Sequence, residues 1–152
     1  MAVVDLLELP PAGALFGLDL GEKTIGVATS DATRFIASPL ELIRKTKFTA
    51  DAGRLFQLMG ERRAAGLVIG LPKNMDGSEG PRAQSSRAFA RNLLRVRDLP
   101  IAFWDERLSS EAVNRMLIEE HDLTRARRAE VVDKTAAAWI LQGALDRLRA
   151  AG

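Results

Sequence analysis

The chain has 152 residues, of which 47% are apolar and 28% are charged, a composition typical of one globular domain. It has no cysteine and a single histidine, His121, which excludes disulfides, thiolate metal sites and histidine-rich zinc sites. The net charge of +2 is too small to indicate nucleic-acid binding. No apolar run approaches the roughly 20 residues of a membrane span, and the first residues do not resemble a secretory signal, so a cytoplasmic protein is predicted.

The first half of the chain predicts mostly strands. In chain order, the elements expected from apolar runs and spacing are strands at 15–20, 24–29 and 36–43, a helix at 49–65 and a buried strand at 67–69. The first two strands are separated by a short turn, so they are expected to pair as a hairpin. Pro39 favours an edge position for the third strand.

The second half predicts strands that alternate with helices. The expected elements are a loop at 73–80, a helix at 81–96, a buried strand at 101–104, a helix from Ser109 to about residue 120, a basic connector at 121–128 and a last helix from 129 to about 150. This order predicts a single α/β domain over 1–152. Its mixed five-stranded sheet joins a three-strand antiparallel meander to parallel strands and is flanked by helices.

Two acidic residues occupy positions in or next to apolar strands. Asp19 lies between glycines in the first strand, on the face opposite Phe16 and Leu18. Asp19 is therefore either a metal ligand or an aspartate whose carboxylate binds the backbone of the following turn. Glu106 follows the strand at 101–104, where it is either a ligand or a solvated acid that pairs with Arg107.

A third acid, Asp133, continues the apolar stripe of the last helix. Apolar residues follow it at offsets of 4, 7, 11 and 15, namely Ala137, Ile140, Ala144 and Leu148. A buried carboxylate without a partner costs several kcal/mol, so it has to be paired, hydrogen-bonded, protonated or bound to a cation. Stabilisation of the helix N-terminus is the alternative.

Taken together, the three acids predict a cluster that a divalent cation would stabilise. Like charges repel unless a positive charge lies between them, and carboxylate oxygens are preferred ligands of Mg²⁺ and Mn²⁺. Such ions activate water and stabilise the leaving oxygen of a phosphodiester. Asp19, Glu106 and Asp133 are therefore the predicted metal ligands.

Four segments carry a resemblance to a known family. They are DLGEKTIGVATSD at 19–31, GLPKNMDGSEGP at 70–81, WDERLS at 104–109 and EVVDKTAA at 130–137. In sequence and order they are similar to the YqgF family of pre-16S rRNA nucleases, which resemble RuvC-type Holliday-junction resolvases. Residues 1–14 form an N-terminal extension outside the match.

The resemblance implies an RNase H-like fold and a metal-dependent endonuclease. Asp19, Glu106 and Asp133 would be its catalytic and metal-binding triad. The implied role is processing of the 5′ end of pre-16S rRNA, hence ribosome biogenesis. Resolvase-like cleavage of branched DNA is the neighbouring possibility, and the oligomeric state, monomer or homodimer, stays open.

Several basic residues are candidates for binding the nucleic acid. Arg87, Arg91 and Arg95 recur at helical spacing, which indicates either a phosphate-binding stripe or a solvated helix face. The connector at 121–128 is a candidate basic flap. The predicted contact residues are Lys23, Lys73, Arg87, Arg91, Arg107, Arg125, Arg128 and Lys134. Backbone contacts of this kind would make binding salt-sensitive and largely independent of sequence.

Two functions of other classes remain open at this stage. A phosphotransferase of the sugar-kinase and actin type also begins with an Asp-x-Gly hairpin, but such proteins generally use two domains to enclose ATP. A non-catalytic nucleic-acid-binding module is the other alternative. The three acids argue against it, because uncompensated carboxylates weaken binding to phosphate.

Overall fold

The computed structural model describes residues 3–108 and 125–151, with side chains described for 3–107 and 136–151. In chain order, the strands and α-helices of this part are β1 (Ala14–Leu20), β2 (Thr24–Ser30), β3 (Ala37–Arg44), α1 (Phe48–Arg62), β4 (Ala64–Leu71), α2 (Pro81–Val96), β5 (Ile101–Asp105) and α3 (Arg125–Ala151). Short 3-10 turns lie at Leu6–Glu8 and Glu106–Leu108. The helix predicted from Ser109 and residues 121–124 of the predicted connector lie outside the described residues.

The five strands form one mixed sheet in the order β3-β2-β1-β4-β5. β1 pairs antiparallel with β2, and β2 pairs antiparallel with β3, which is the predicted meander. β4 lies between β1 and β5 and runs parallel to both. The predicted mixed five-stranded sheet is therefore confirmed, and the carboxyl ends of β1, β4 and β5 lie at one edge.

The predicted edge position of β3 is also correct. Ala28 of β2 lies opposite Pro39, and the pairing register shifts between Val27 and Ala28. Proline cannot donate a hydrogen bond to a neighbouring strand, so an edge strand with an irregularity accommodates it.

Two predicted helix boundaries are wrong. Helix α1 ends at Arg62 rather than near residue 65, because Arg63 adopts a left-handed conformation with φ 54° and its N–H caps the carbonyls of Met59 and Gly60. The freed residues extend β4, where Ala64 pairs with Ala14. The last helix begins at Arg125 rather than residue 129, so the second half of the predicted basic connector is helical.

Helices cover both faces of the sheet. On one face, Phe16 and Leu18 of β1 pack with Leu55 of α1 and Leu93 of α2. The other face is covered by α3 and by part of the N-terminal extension, with a core of Leu9, Leu15, Val68, Ala137, Leu141 and Leu145. Strand alternation therefore places Asp19 on the α3 face, as the sequence pattern predicted.

Gly17 lets α3 approach β1 closely. A Cβ atom at this position would lie 2.7 Å from Leu141 Cβ and 3.0 Å from the carbonyl oxygen of Ala137. The missing side chain thus sets the position of α3 on the sheet.

Within the part of the chain that the structure describes, no helix combines the length and hydropathy that a membrane span needs.

Candidate functional site

Asp19 and Glu106 lie together at one edge of the sheet. Asp19 is near the carboxyl end of β1, and Glu106 directly follows β5. The intervening strand β4 runs parallel to both, so the chain brings the two acids to the same edge. After burial, interaction with Asp19 is the largest cause of the raised pKa of Glu106, so the two side chains lie close together.

The missing side chain of Gly70 leaves the space that Glu106 occupies. A Cβ atom on this last-but-one residue of β4 would lie 2.6 Å from Glu106 Oε1 and 2.9 Å from its Cγ. It would also lie 2.5 Å from Ile140 Cδ1 of α3. This role of Gly70 could not be read from the sequence, since it depends on a residue distant in the chain.

The environment of Glu106 favours its uncharged form. Burial is the main cause, followed by the charge of Asp19 and the hydrogen bond with it, and together they raise the pKa of Glu106 to about 8. Glu106 Oε1 is buried and receives no hydrogen bond from the described residues. Such an acceptor is costly unless a proton or a cation compensates it.

This raised pKa predicts a pH-dependent stability in the absence of metal. The folded protein keeps the proton up to about pH 8, whereas the pKa of Glu106 in the unfolded chain is near 4.5. The folded state therefore binds more protons between these limits, and the free energy of unfolding falls as the pH rises through this window. In EDTA, we expect the Tm to be about 5–10 °C lower near pH 8.5 than near pH 6.

The variant Glu106→Gln is the control for this pH dependence, because it keeps the shape of the side chain and cannot ionise. Its thermal melts in EDTA should lose most of the decrease between the two pH values. An equal decrease in the variant and the wild type would show that other groups cause it.

Among the described residues, Arg82 is the cation whose charge acts on Glu106, and it was not identified from the sequence. Its charge opposes the upward shift in the pKa of Glu106. It lies in the first turn of α2, where the helix dipole disfavours a positive charge, and that turn contains no acid. This unfavourable placement is the sequence signal that could have indicated an anionic partner for Arg82.

A cavity of about 400 Å³ adjoins Arg82 and the turn after Asp19. It is lined by Leu20, Gly21, Glu22, Lys45, Pro81, Arg82, Ser85, Ser86 and Phe89. Arg82 and Lys45 give the cavity a cationic side beside the turn that follows Asp19.

Two of the predicted nucleic-acid contacts already bind acids of the chain. Arg87 contacts both carboxylate oxygens of Glu79, at 2.6 and 2.7 Å, and its guanidinium lies over the ring of Phe103. Arg107 pairs with Asp105 at 2.6 Å and lowers the pKa of that carboxyl. The suggested pairing of Arg107 with Glu106 is therefore wrong, since Arg107 pairs with the other adjacent acid.

The remaining predicted contacts differ in exposure. Lys23, in the turn after Asp19, and Arg91, on α2, are exposed, whereas Lys73 is half-buried near Asp105 and Glu79. The side chains of Arg125, Arg128 and Lys134 lie outside the described residues. Nucleic-acid contact by any of these residues stays a prediction.

The side chain of Asp133 also lies outside the described residues, but its position on α3 is known. The apolar stripe predicted to follow it is confirmed, since Ala137, Ile140 and Ala144 are buried and Leu148 is half-buried. Ala137 lies over Gly17 of β1, and residue 133 is one helical turn before Ala137. A role for Asp133 as the third ligand stays a prediction.

The described residues fit a divalent cation in two respects, although they hold no group of three His, Cys, Asp or Glu that could bind a metal by itself. The buried Oε1 of Glu106 lacks a hydrogen-bond donor, and the adjacent carboxyl of Asp19 would repel it when both are charged. Carboxylate oxygens are the ligands that Mg²⁺ and Mn²⁺ prefer.

Comparisons with known proteins give consistent results. Residues 13–147 match the family model described as "RuvX: Holliday junction resolvase". A protein of Phenylobacterium zucineum named "Putative pre-16S rRNA nuclease" is 75% identical over 154 residues, covering 98% of this chain and 99% of the relative. A protein of the same name from Caulobacter sp. (strain K31) is 66% identical, covering 98% and 94%.

Solved structures share the fold at low sequence identity. The RuvC protein of T. thermophilus, in complex with a Holliday junction substrate, has a TM-score of 0.57 and 14% identity, covering 90% of this chain and 96% of the other. A second structure of Thermus thermophilus RuvC has a TM-score of 0.51 and 11% identity over the same shares. These similarities identify an RNase H-like, RuvC-type fold.

Proposed function

Because the chain belongs to the RuvX family of Holliday junction resolvases, we propose that it is a nuclease that hydrolyses phosphodiester bonds at the Asp19–Glu106 pair. The observation that carries this proposal is the half-buried pair of interacting acids, Asp19 and Glu106, at the carboxyl edge of three parallel strands. Carboxylate pairs of this kind are the usual holders of cations that act on phosphates.

The proposed substrate is the 5′ end of pre-16S rRNA, cleaved in the bacterial cytoplasm during ribosome biogenesis. Relatives that are 75% and 66% identical over 98% of this chain carry that name, so the substrate preference is expected to be shared. Cleavage of branched DNA is the second candidate, since the family description names the Holliday junction.

In the proposed mechanism, Asp19 and Glu106 would hold Mg²⁺ or Mn²⁺ through their carboxylate oxygens, and Asp133 would supply a third ligand. The bound cation would acidify a water molecule and neutralise charge on the phosphate. A cation held at this position would favour the ionised form of the Glu106 carboxyl. Burial keeps bulk water away from Glu106 Oε1, and Gly70 leaves room for the Glu106 side chain.

The substrate backbone is proposed to follow the cationic side of the cavity. Arg82 and Lys45 line it, and the exposed Lys23 and Arg91 extend the positive surface on either side. Contacts from these residues to phosphates would be largely independent of sequence, and they would weaken steeply as salt increases.

The decisive test compares two substrates under identical conditions. A pre-16S rRNA fragment with its 5′ extension and a four-way DNA junction are incubated with Mg²⁺, Mn²⁺ or EDTA. We expect cleavage of the RNA at defined sites with either metal and none in EDTA. Cleavage of the junction alone would establish the resolvase alternative, and binding without any cleavage would favour the non-catalytic module.

The oligomeric state gives an independent discrimination between the two substrates. A resolvase has to make paired cuts in a symmetric junction, which requires two active sites, whereas removal of an RNA extension requires one. Sedimentation of the free protein and of each complex measures the number of protomers directly. A complex of one protomer per RNA would support the proposed substrate.

A further inference from the structure

Met75 lies in the loop between β4 and α2, and its side chain is 93% exposed. The other exposed large apolar side chains among the described residues are between 40% and 63% exposed. Single exposed apolar residues are common, so exposure alone indicates no function. The structure around Met75 adds two further observations.

The loop that carries Met75 is held by its own hydrogen bonds. The N–H of Asn74 donates to the carbonyl of Ser78 at 2.8 Å, and the N–H of Gly77 donates to the carbonyl of Asn74 at 2.9 Å. The Asp76 carboxylate accepts hydrogen bonds from the backbone and hydroxyl of Ser78. Gly77 provides the positive φ of 89° that this turn needs. The polar side chains of Asn74, Asp76 and Ser78 therefore hydrogen-bond within the turn, although they are exposed, and Met75 is its large apolar side chain in solvent.

The same loop is attached to the candidate active site. Arg107 Nη1 donates a hydrogen bond to the carbonyl oxygen of Met75 at 3.2 Å, and Arg107 also pairs with Asp105 at 2.6 Å. Arg107 is the residue directly after Glu106. The loop is thus connected through one guanidinium to the turn that carries Glu106, which is a catalytic candidate.

The chemistry of this side chain restricts what it can contact on a nucleic acid. The thioether of methionine makes no favourable interaction with phosphates. Its unbranched, polarisable side chain packs well against aromatic faces. Methionine is among the side chains that insert between stacked bases, and unstacking a continuous duplex step costs free energy. An interrupted stack offers a free base face without that cost.

We propose that Met75 packs against an unstacked nucleobase beside the cleaved phosphodiester, and thereby selects substrates whose base stack is interrupted near the cut. This inference rests on the proposed nuclease function and adds a structural preference to it.

The test uses Met75→Ala and Met75→Phe, with Val96→Ala as the matched control. Val96 is an exposed apolar residue at the other end of α2, about 22 Å along the helix from Pro81. Each variant is combined with Asp19→Asn to prevent cleavage, and is mixed with an RNA that carries 2-aminopurine at successive positions around an internal bulge. Fluorescence of the bound RNA reports unstacking of the labelled base.

We expect the protein with Met75 to increase 2-aminopurine fluorescence at one position beside the cut. Met75→Ala should lose most of this increase and bind bulged RNA about tenfold more weakly, with little change for a continuous duplex. Met75→Phe should keep both effects, since it retains an apolar face, and Val96→Ala should resemble the parent. The Tm should be unchanged in every case because the altered side chains are exposed.

Equal fluorescence and affinity for Met75→Ala and Val96→Ala would overturn the proposed contact. That result would also be expected if Met75 served a protein partner instead. Cleavage by proteins that retain Asp19 is measured separately, so the two proposals can fail independently. If those proteins cleave no substrate, the nuclease function fails, and fluorescence still decides whether Met75 contacts a base.

Discussion

Replacing Asp19 with asparagine will reduce metal-dependent cleavage by about a thousandfold or more while the protein stays folded. Asparagine keeps the size of the side chain but removes the negative charge that would hold a cation beside Glu106. A loss of about 4 kcal/mol of transition-state stabilisation corresponds to this factor in rate. The measurement is the single-turnover cleavage rate of the pre-16S rRNA fragment in Mg²⁺.

The matched control for this prediction is Asp146→Asn. Asp146 is an exposed acid near the carboxyl end of α3, where it pairs with Arg149, so it carries the same charge outside the candidate site. This variant should cleave at nearly the rate of the wild type. Full metal-dependent activity in Asp19→Asn would rule out the proposed role of Asp19 and, with it, the mechanism.

Asp19→Asn should also change the stability of the metal-free protein in a defined direction. Removing one of two adjacent carboxyls relieves the repulsion that contributes to the raised pKa of Glu106. The Tm in EDTA near pH 8.5 should therefore be equal to or higher than that of the wild type, which separates loss of activity from loss of folding.

Replacing Gly17 with alanine will destabilise the protein by about 2–3 kcal/mol, because the added methyl group meets the backbone and Cβ of a packed helix. The nearest atoms to the new Cβ would be Leu141 Cβ at 2.7 Å and the Ala137 oxygen at 3.0 Å. Neither atom can move unless α3 itself moves. We expect a decrease in Tm of about 4–12 °C.

The control for Gly17→Ala is Gly53→Ala in α1. A Cβ atom at Gly53 would have no neighbour within 4 Å, and alanine is favoured over glycine inside a helix. This variant should gain up to about 1 kcal/mol in the free energy of unfolding. Denaturant unfolding measures both changes, and equal effects of the two substitutions would contradict the close packing of α3 on β1.

Much of the fold could be predicted because its signals are local. Alternation in β1 placed Phe16 and Leu18 on one face and Asp19 on the other, and the sheet has this arrangement. The apolar spacing after residue 133 predicted the buried face of α3, where Ala137 and Ile140 are indeed buried. The predicted end of α1 was wrong because the alanines and glycine at 64–66 do not by themselves distinguish a helix from a strand. Pairing with β1 decides that these residues belong to β4.

The candidate site was only partly predictable. Asp19 and Glu106 could be named, but Arg82 was missed, because its importance comes from the side chains that it faces. Arg87 was proposed as a phosphate ligand, while the structure shows it bound to Glu79 across a turn. Charge in a sequence indicates what a side chain can bind, and tertiary neighbours decide which partner it has.

From the sequence alone, the chain could be recognised as an α/β protein with a mixed sheet and unusual acids in its apolar elements, because alternation and helical spacing depend on residues close together in the chain. Only the tertiary structure decided that Glu106 meets Asp19, that Gly70 leaves space for it, and that Arg107 connects the loop of Met75 to this edge. Desolvation and repulsion depend on distance in space, and the distances between remote segments arise only when the sheet brings its strands together.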